Sequence, residues 1–272
     1  MAKTIFITGA SRGFGRIWTE AFLKRGDNVV ATVRNLDALL DLSKEFPSNL
    51  LVLKLDVTDK QKSFEAIQTA KTRFGNIDVL INNAGYGHIG AVEELHEKDV
   101  RKQFETNVLG SLWTIQAVVP IMRQQKSGHI IQLSSALGLN TVTLMGFYSA
   151  TKFAIEGLTE TLAAEVRDFG IKVTLLEPGR FATEFSGAES LAIGESIPEY
   201  DSMRKVFWEY ADSEDAGNPA ATVDAVFALV DSEKAPLRLI LGRTAYPWVK
   251  NTYEERLKTW ESWQHVSVAA HG

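Results

Sequence analysis

Thr4-Ile5-Phe6-Ile7-Thr8-Gly9-Ala10-Ser11-Arg12-Gly13-Phe14-Gly15 is the stretch that decides the fold. Its first residues form a short, continuously apolar run, as expected for a strand buried on both faces. The run leads into glycines and then into an amphipathic helical pattern. Glycines after a strand and opening a helix allow a tight turn and a close approach of the backbone to a pyrophosphate, whose charge the helix N-terminus favours. The spacing is G-x-x-x-G-x-G rather than the G-x-G-x-x-G dinucleotide fingerprint. A plain glycine-rich turn between strand and helix is the competing reading.

Further short runs rich in Val and Ile recur along the chain, at 28–32, 50–55, 79–82, 129–134, 172–176 and 237–241. Between them lie helical stretches of the length that a βαβ crossover needs. This rhythm predicts an α/β fold, a Rossmann-type doubly wound parallel sheet of about seven strands with helices on both faces. The 272 residues fit one such domain. Two segments break the rhythm. Residues 184–218 are rich in Gly, Ser, Glu and aromatics, too long for an ordinary loop, and are expected to hold short helices that form a substrate lid. A helical tail is expected from about Thr252, with Trp260 and Trp263 on it.

Composition narrows the function. A hydrophobic fraction of 45% and a charged fraction of 23% suit an ordinary globular protein. A net charge of -5 with scattered basic residues argues against nucleic acid. With no cysteine and five dispersed histidines, neither a disulfide framework nor a metal site is expected. No stretch approaches the roughly 18 apolar residues of a membrane span, and a cytoplasmic protein is the simplest expectation.

Tyr148 and Lys152, in Phe147-Tyr148-Ser149-Ala150-Thr151-Lys152, would stack one turn apart on a helix. A lysine beside a phenol favours the phenolate. Bringing a tyrosine from about 10 to neutrality takes roughly three units, or roughly 4 kcal/mol. Such a donor suits carbonyl reduction, although the pair alone also describes a half-buried aromatic beside a solvated charge.

The glycine loop and this pair together resemble the short-chain dehydrogenase/reductase family, in its shorter, classical branch. The resemblance extends over most of the chain and fades after about Thr183. It includes Asp56-Val57, Asn82-Asn83-Ala84-Gly85, Asn107, Ser134-Ser135 and Pro178-Gly179, in order along the chain. It implies a catalytic set of Asn107, Ser135, Tyr148 and Lys152. Ser135 lies thirteen residues before Tyr148, the family's separation. The resemblance assigns Ser135 to the substrate carbonyl and Tyr148 to the proton. Lys152 would lower the tyrosine pKa and hold the nicotinamide ribose, and Asn107 would hold a water. The implied cofactor residues are Gly9, Ser11, Arg12, Gly13, Phe14, Gly15, Asp56, Val57, Asn83, Ala84, Gly85, Pro178, Gly179, Phe181 and Thr183, with Tyr148 and Lys152. Arg34 adds a cofactor choice. An NAD enzyme usually places an acid at the end of the second strand, whereas this chain has Val33-Arg34 there. Guanidinium suits a 2′-phosphate, and Arg12 could clamp the same group, so NADP(H) is expected over NAD(H).

Substrate candidates by family position are Leu137, Met145, Phe185 and His88, with Tyr86 and Phe147. They suggest a hydrophobic or aromatic ketone or aldehyde. Arg180 would either hold an acidic substrate or point to solvent. The leading expectation is an NADPH-dependent carbonyl reductase. The alternatives are an oxidative alcohol or hydroxysteroid dehydrogenase and a non-catalytic NADP(H)-sensing protein. The resemblance also implies a homodimer or homotetramer, paired through the long helices that carry Asn107 and Tyr148.

Overall fold

In the computed structural model, residues 2–183, 191–193, 196–211 and 216–272 are described. Strand β1 (Thr4–Thr8) and helix α1 (Gly13–Arg25) open the chain. They are followed by β2 (Asn28–Val33), α2 (Leu40–Glu45), β3 (Leu50–Lys54), α3 (Lys60–Phe74) and β4 (Val79–Asn82). A short β5 (Gly87–Ile89) precedes α4 (Glu97–Phe104), a π-helical turn (Glu105–Leu109) and α5 (Gly110–Gln125). The second half contains β6 (Gly128–Leu133), α6 (Gly146–Glu165), β7 (Ile171–Pro178), β8 (Leu191–Ile193), α7 (Asp201–Ala211), α8 (Thr222–Asp231), β9 (Arg238–Leu241), α9 (Ala245–Ser262) and α10 (Gln264–Ala269).

Seven strands form one parallel sheet in the order β3-β2-β1-β4-β6-β7-β9. The strand order reverses between β1 and β4, and in open α/β sheets ligands bind in the crevice at the carboxyl ends of the strands at such a point. Side chains alternate across the sheet. Ile5 and Ile7 of β1 face a core completed by Trp18 and Phe22 of α1 and by Val226 and Leu229 of α8. Phe6, between them, faces the opposite core with Ile67 of α3, Val118 of α5 and Leu162 of α6. The doubly wound sheet is therefore the one the apolar runs predict. Helices end where their sequences supply a stop: Gly26 and Gly75 adopt positive φ after α1 and α3.

Three elements differ from the expectation. β5 and β8 pair in a separate two-stranded parallel sheet, which ties residues 191–193 to the segment after β4. The C-terminal helix begins at Ala245, not near Thr252, because Pro247 sits in its first turn, where a missing N–H costs nothing. No described helix is long and apolar enough to cross a membrane.

Candidate active site

The β1 exit is built for close backbone approach. Gly9 has φ of +68°, and a Cβ there would lie 2.9 Å from Ala84 Cα. A Cβ on Gly15 would lie 2.6 Å from Asn83 Nδ2. The β4 exit is stitched to this loop: Asn83 N and Ala84 N both donate to Thr8 Oγ1 at 3.0 Å. Asn83 Nδ2 donates in turn to Thr8 O (2.9 Å) and Gly9 O (3.0 Å). Helix α1 starts with no side-chain cap and no acid in its first turn. No side chain competes there with an anion drawn to the positive end of the helix, so the loop fits a pyrophosphate. Phe14 stacks on Trp18 (centroids 5.1 Å apart) and meets the edge of Phe181 at 5.3 Å. These rings join the glycine loop to the β7 exit, where Gly179 N donates to Leu241 O at 2.8 Å. At the end of β2, Val33 is buried and Arg34 exposed, while Arg12 and Ser11 are half-buried. Asp56, exposed after β3, accepts from Thr58 N (3.1 Å) and Oγ1 (2.8 Å), and Val57 is buried beside it against Gly110. Gly13 opens α1, and Thr183 N donates to Phe181 O at 2.9 Å.

Across the sheet, Ser135 follows β6 and Tyr148 lies in the first turn of α6, where they share a hydrogen bond. Ser135 Oγ also accepts from Leu137 N at 3.1 Å. Lys152, one turn on, is buried; its Nζ donates to Leu133 O at 2.9 Å and stands 5.6 Å from the Tyr148 ring centre. Burial pushes the Tyr148 phenol up to about 12, against the pull of the Ser135 hydrogen bond. Burial also brings the Lys152 ammonium down to about 8, against the pull of Glu156. The expected lysine-driven fall of the tyrosine is thus not found in the protein alone, where desolvation of the phenolate outweighs the Ser135 hydrogen bond. What results is a phenol that keeps its proton. Asn107 sits in the π-helical turn. Its Nδ2 donates to Tyr86 O (2.9 Å) and Thr151 Oγ1 (3.1 Å), and its Oδ1 accepts from Tyr86 N (3.0 Å). Its side chain therefore clamps the strand exit onto α6. Interruptions of this kind in a helix are frequent at functional sites.

Residues 3–192 match the model of a family described as short chain dehydrogenase. The chain belongs to the short-chain dehydrogenase family. It is 36% identical to "Oxidoreductase BOA17" of Botryotinia fuckeliana over 99% of this chain and 100% of that protein. A short-chain dehydrogenase from Streptomyces avermitilis has the same fold at a TM-score of 0.92, with 37% identity over 99% of this chain and 98% of that one. A relative from Burkholderia cenocepacia was solved with NADP (TM-score 0.77, 26% identity, 96% and 97% covered). One from Burkholderia phymatum was solved with NAD (0.81, 25%, 96% and 94%).

In this short-chain dehydrogenase, Tyr148 forms one apolar cluster with Ile89, Ala91, Leu144 and Met145. Leu137, Val142, Tyr200, Phe207 and Trp208 pack against it. Two of the sequence candidates, Leu137 and Met145, belong to this cluster. His88 is not among them: it alternates with Ile89 on β5, and its charged neighbours are Asp99 and His96 on the α4 side. Tyr86 backs onto Asn107, Phe147 is half-buried outside the cluster, and Phe185 lies outside the described residues. The aromatic side chains of 200, 207 and 208 were the missed contribution, although Val206-Phe207-Trp208 is an apolar run inside a polar segment. Arg180 takes neither expected role. It donates to Ala211 O at the C-terminus of α7, where a cation suits the helix dipole. The same segment is anchored by Glu94, whose Oε1 accepts from Ile197 N (2.7 Å) and pairs with Arg204.

Proposed function

We propose that this short-chain dehydrogenase reduces a hydrophobic ketone or aldehyde to the alcohol with NADPH. The observation that carries the reading is Tyr148, buried, hydrogen-bonded with Ser135 and one helical turn from the buried Lys152. NADPH would supply the hydride. Ser135 orients the carbonyl oxygen, and Tyr148 donates the proton to it as general acid. Lys152 contributes positive charge beneath the phenol, which stabilises the phenolate left after donation. Gly9, Gly15 and the open first turn of α1 would receive the pyrophosphate, with Asp56, Val57, Ala84 and Gly85 toward the adenosine side and Pro178, Gly179 and Thr183 toward the nicotinamide.

Preference for NADPH is supported by this chain's own residues: Val33 replaces the acid that would hold a ribose hydroxyl, and Arg34 and Arg12 flank the position of a 2′-phosphate. The apolar cluster around Tyr148 supports a substrate with little charge; much of the segment expected to cover it, 184–190, 194–195 and 212–215, lies outside the described residues. Exposed Phe104 and Phe153, at 39% each, suit pairing into a homodimer or homotetramer through the helices flanking Asn107 and Tyr148. The decisive assay follows NADPH and NADH oxidation against ketones, aldehydes and ketosteroids, with chiral analysis of products. No turnover with any carbonyl would overturn the reading, and equal use of NADH would overturn the cofactor assignment.

A further inference from the structure

One turn beyond Lys152 on α6, Glu156 is buried at 5% exposure, and it faces Glu177 of β7, which is wholly buried. Arg238 of β9 reaches three carboxyls. Its Nε lies 3.0 Å from Glu156 Oε2 and 3.4 Å from Glu177 Oε1, and its Nη2 lies 2.8 Å from Glu160, which is largely exposed. The guanidinium is therefore shared too widely to neutralise both buried acids. Neither Glu177 oxygen accepts a hydrogen bond, and Glu156 Oε1 has no partner either. An ionised carboxylate in that condition is costly, whereas one proton held between the two acids satisfies an orphan oxygen on each. The site is closed by Gly138, where a Cβ would lie 2.6 Å from Ser134 Oγ and 3.1 Å from Glu156 Oε1. The loop that carries Ser135 thus seats closely on Glu156, and any side chain at 138 would force Ser134 or Glu156 to move.

We propose that Glu156 and Glu177 form an acid–carboxylate pair that holds one proton and, through the charge of Glu156, keeps Lys152 cationic. Both are positioning residues that act through Lys152, and the proposal rests on the role given to that lysine above. Among the described residues, the charged groups that face the pair are Lys152 and Glu160 on α6 and Arg238 on β9. Ser134, from the loop after β6, is uncharged. The directions agree. Burial and Glu156 both raise the Glu177 carboxyl above its ordinary range, and Glu156 is the group that opposes the fall of Lys152. Removing the Glu156 charge lets the ammonium lose its proton at lower pH.

The test compares wild type with Glu156→Gln, Glu156→Asp and Glu177→Gln. Lys152 is titrated by 13C-lysine NMR, its signal assigned with Lys152→Met. Glu156→Gln is expected to lower the Lys152 midpoint by about one unit, and Glu156→Asp to restore most of it. The alkaline limb of kcat/KM should move with the NMR midpoint. Overlapping titrations of wild type and Glu156→Gln would overturn the proposal. Infrared spectroscopy supplies a reading independent of any Glu156 variant. Wild type should show the carbonyl band of a protonated carboxyl at neutral pH, and Glu177→Gln should lack it; absence of the band from wild type would overturn the pair. Shifted NMR midpoints in a protein that reduces no carbonyl would instead refute the proposed function and leave the pair standing.

Discussion

In the proposed reaction, Tyr148 is the residue on which the chemistry depends. Tyr148→Phe removes only the hydroxyl, so the expected loss is about 10²–10⁴-fold in kcat, with NADPH affinity unchanged by fluorescence titration. A kcat near wild type would refute the general-acid role. Because the phenol is raised to about 12 and Lys152 lowered to about 8, the base limb of the reductive pH profile should follow loss of charge at Lys152. Arg34→Asp should raise the KM for NADPH by about 10–100-fold, the worth of a charge-assisted hydrogen bond, and leave NADH use no worse. The placement of Tyr148 and Lys152 one turn apart on α6 was legible because helical spacing is a local property. Their proton affinities were not, since desolvation depends on everything that folds over them. The acid pair behind Lys152 was invisible for a similar reason: Glu156 and Glu177 meet only through the packing of α6 on β7.

Among elements, the anchoring of α7 is the most open to test. Glu94 lies at 4% exposure and gathers Ala91 N, Ile197 N and Arg204 around one carboxylate. Arg204→Ala should therefore raise the substrate KM more than it lowers kcat, measured with the best ketone of the panel. An effect on kcat alone would show that α7 does not shape the pocket. The seven strands were legible because runs such as 79–82 are apolar throughout, as a sheet covered on both faces requires. β5 and β8 were not: three residues each give no period to read, and their pairing joins segments about a hundred residues apart. The start of α9 was not legible because Trp260 and Trp263 mark only the end of the helix. Its beginning is marked instead by Gly242, at φ of +111°, and by Pro247 in the first turn.

For the whole molecule, the buried acid pair ties stability to pH. The folded protein retains a proton on Glu177 at pH values where the unfolded chain has released it, so folding binds protons over that interval. Stability should then fall as pH rises from the ordinary carboxyl range toward the raised folded value. Thermal melts between about pH 5 and 9 should show this fall in wild type and a flatter curve in Glu177→Gln, a difference of a few degrees in Tm. Equal slopes would place the proton elsewhere. A different consequence follows from Arg180, which leaves the β7 exit beside Gly179 and grips the last carbonyl of α7. The backbone that would meet the nicotinamide and the helix that would wall the substrate are thereby one mechanical unit. Nucleotide arriving first would settle that unit before a carbonyl enters. The kinetic scheme should accordingly be compulsory-order, with NADP⁺ competitive against NADPH and the alcohol product noncompetitive.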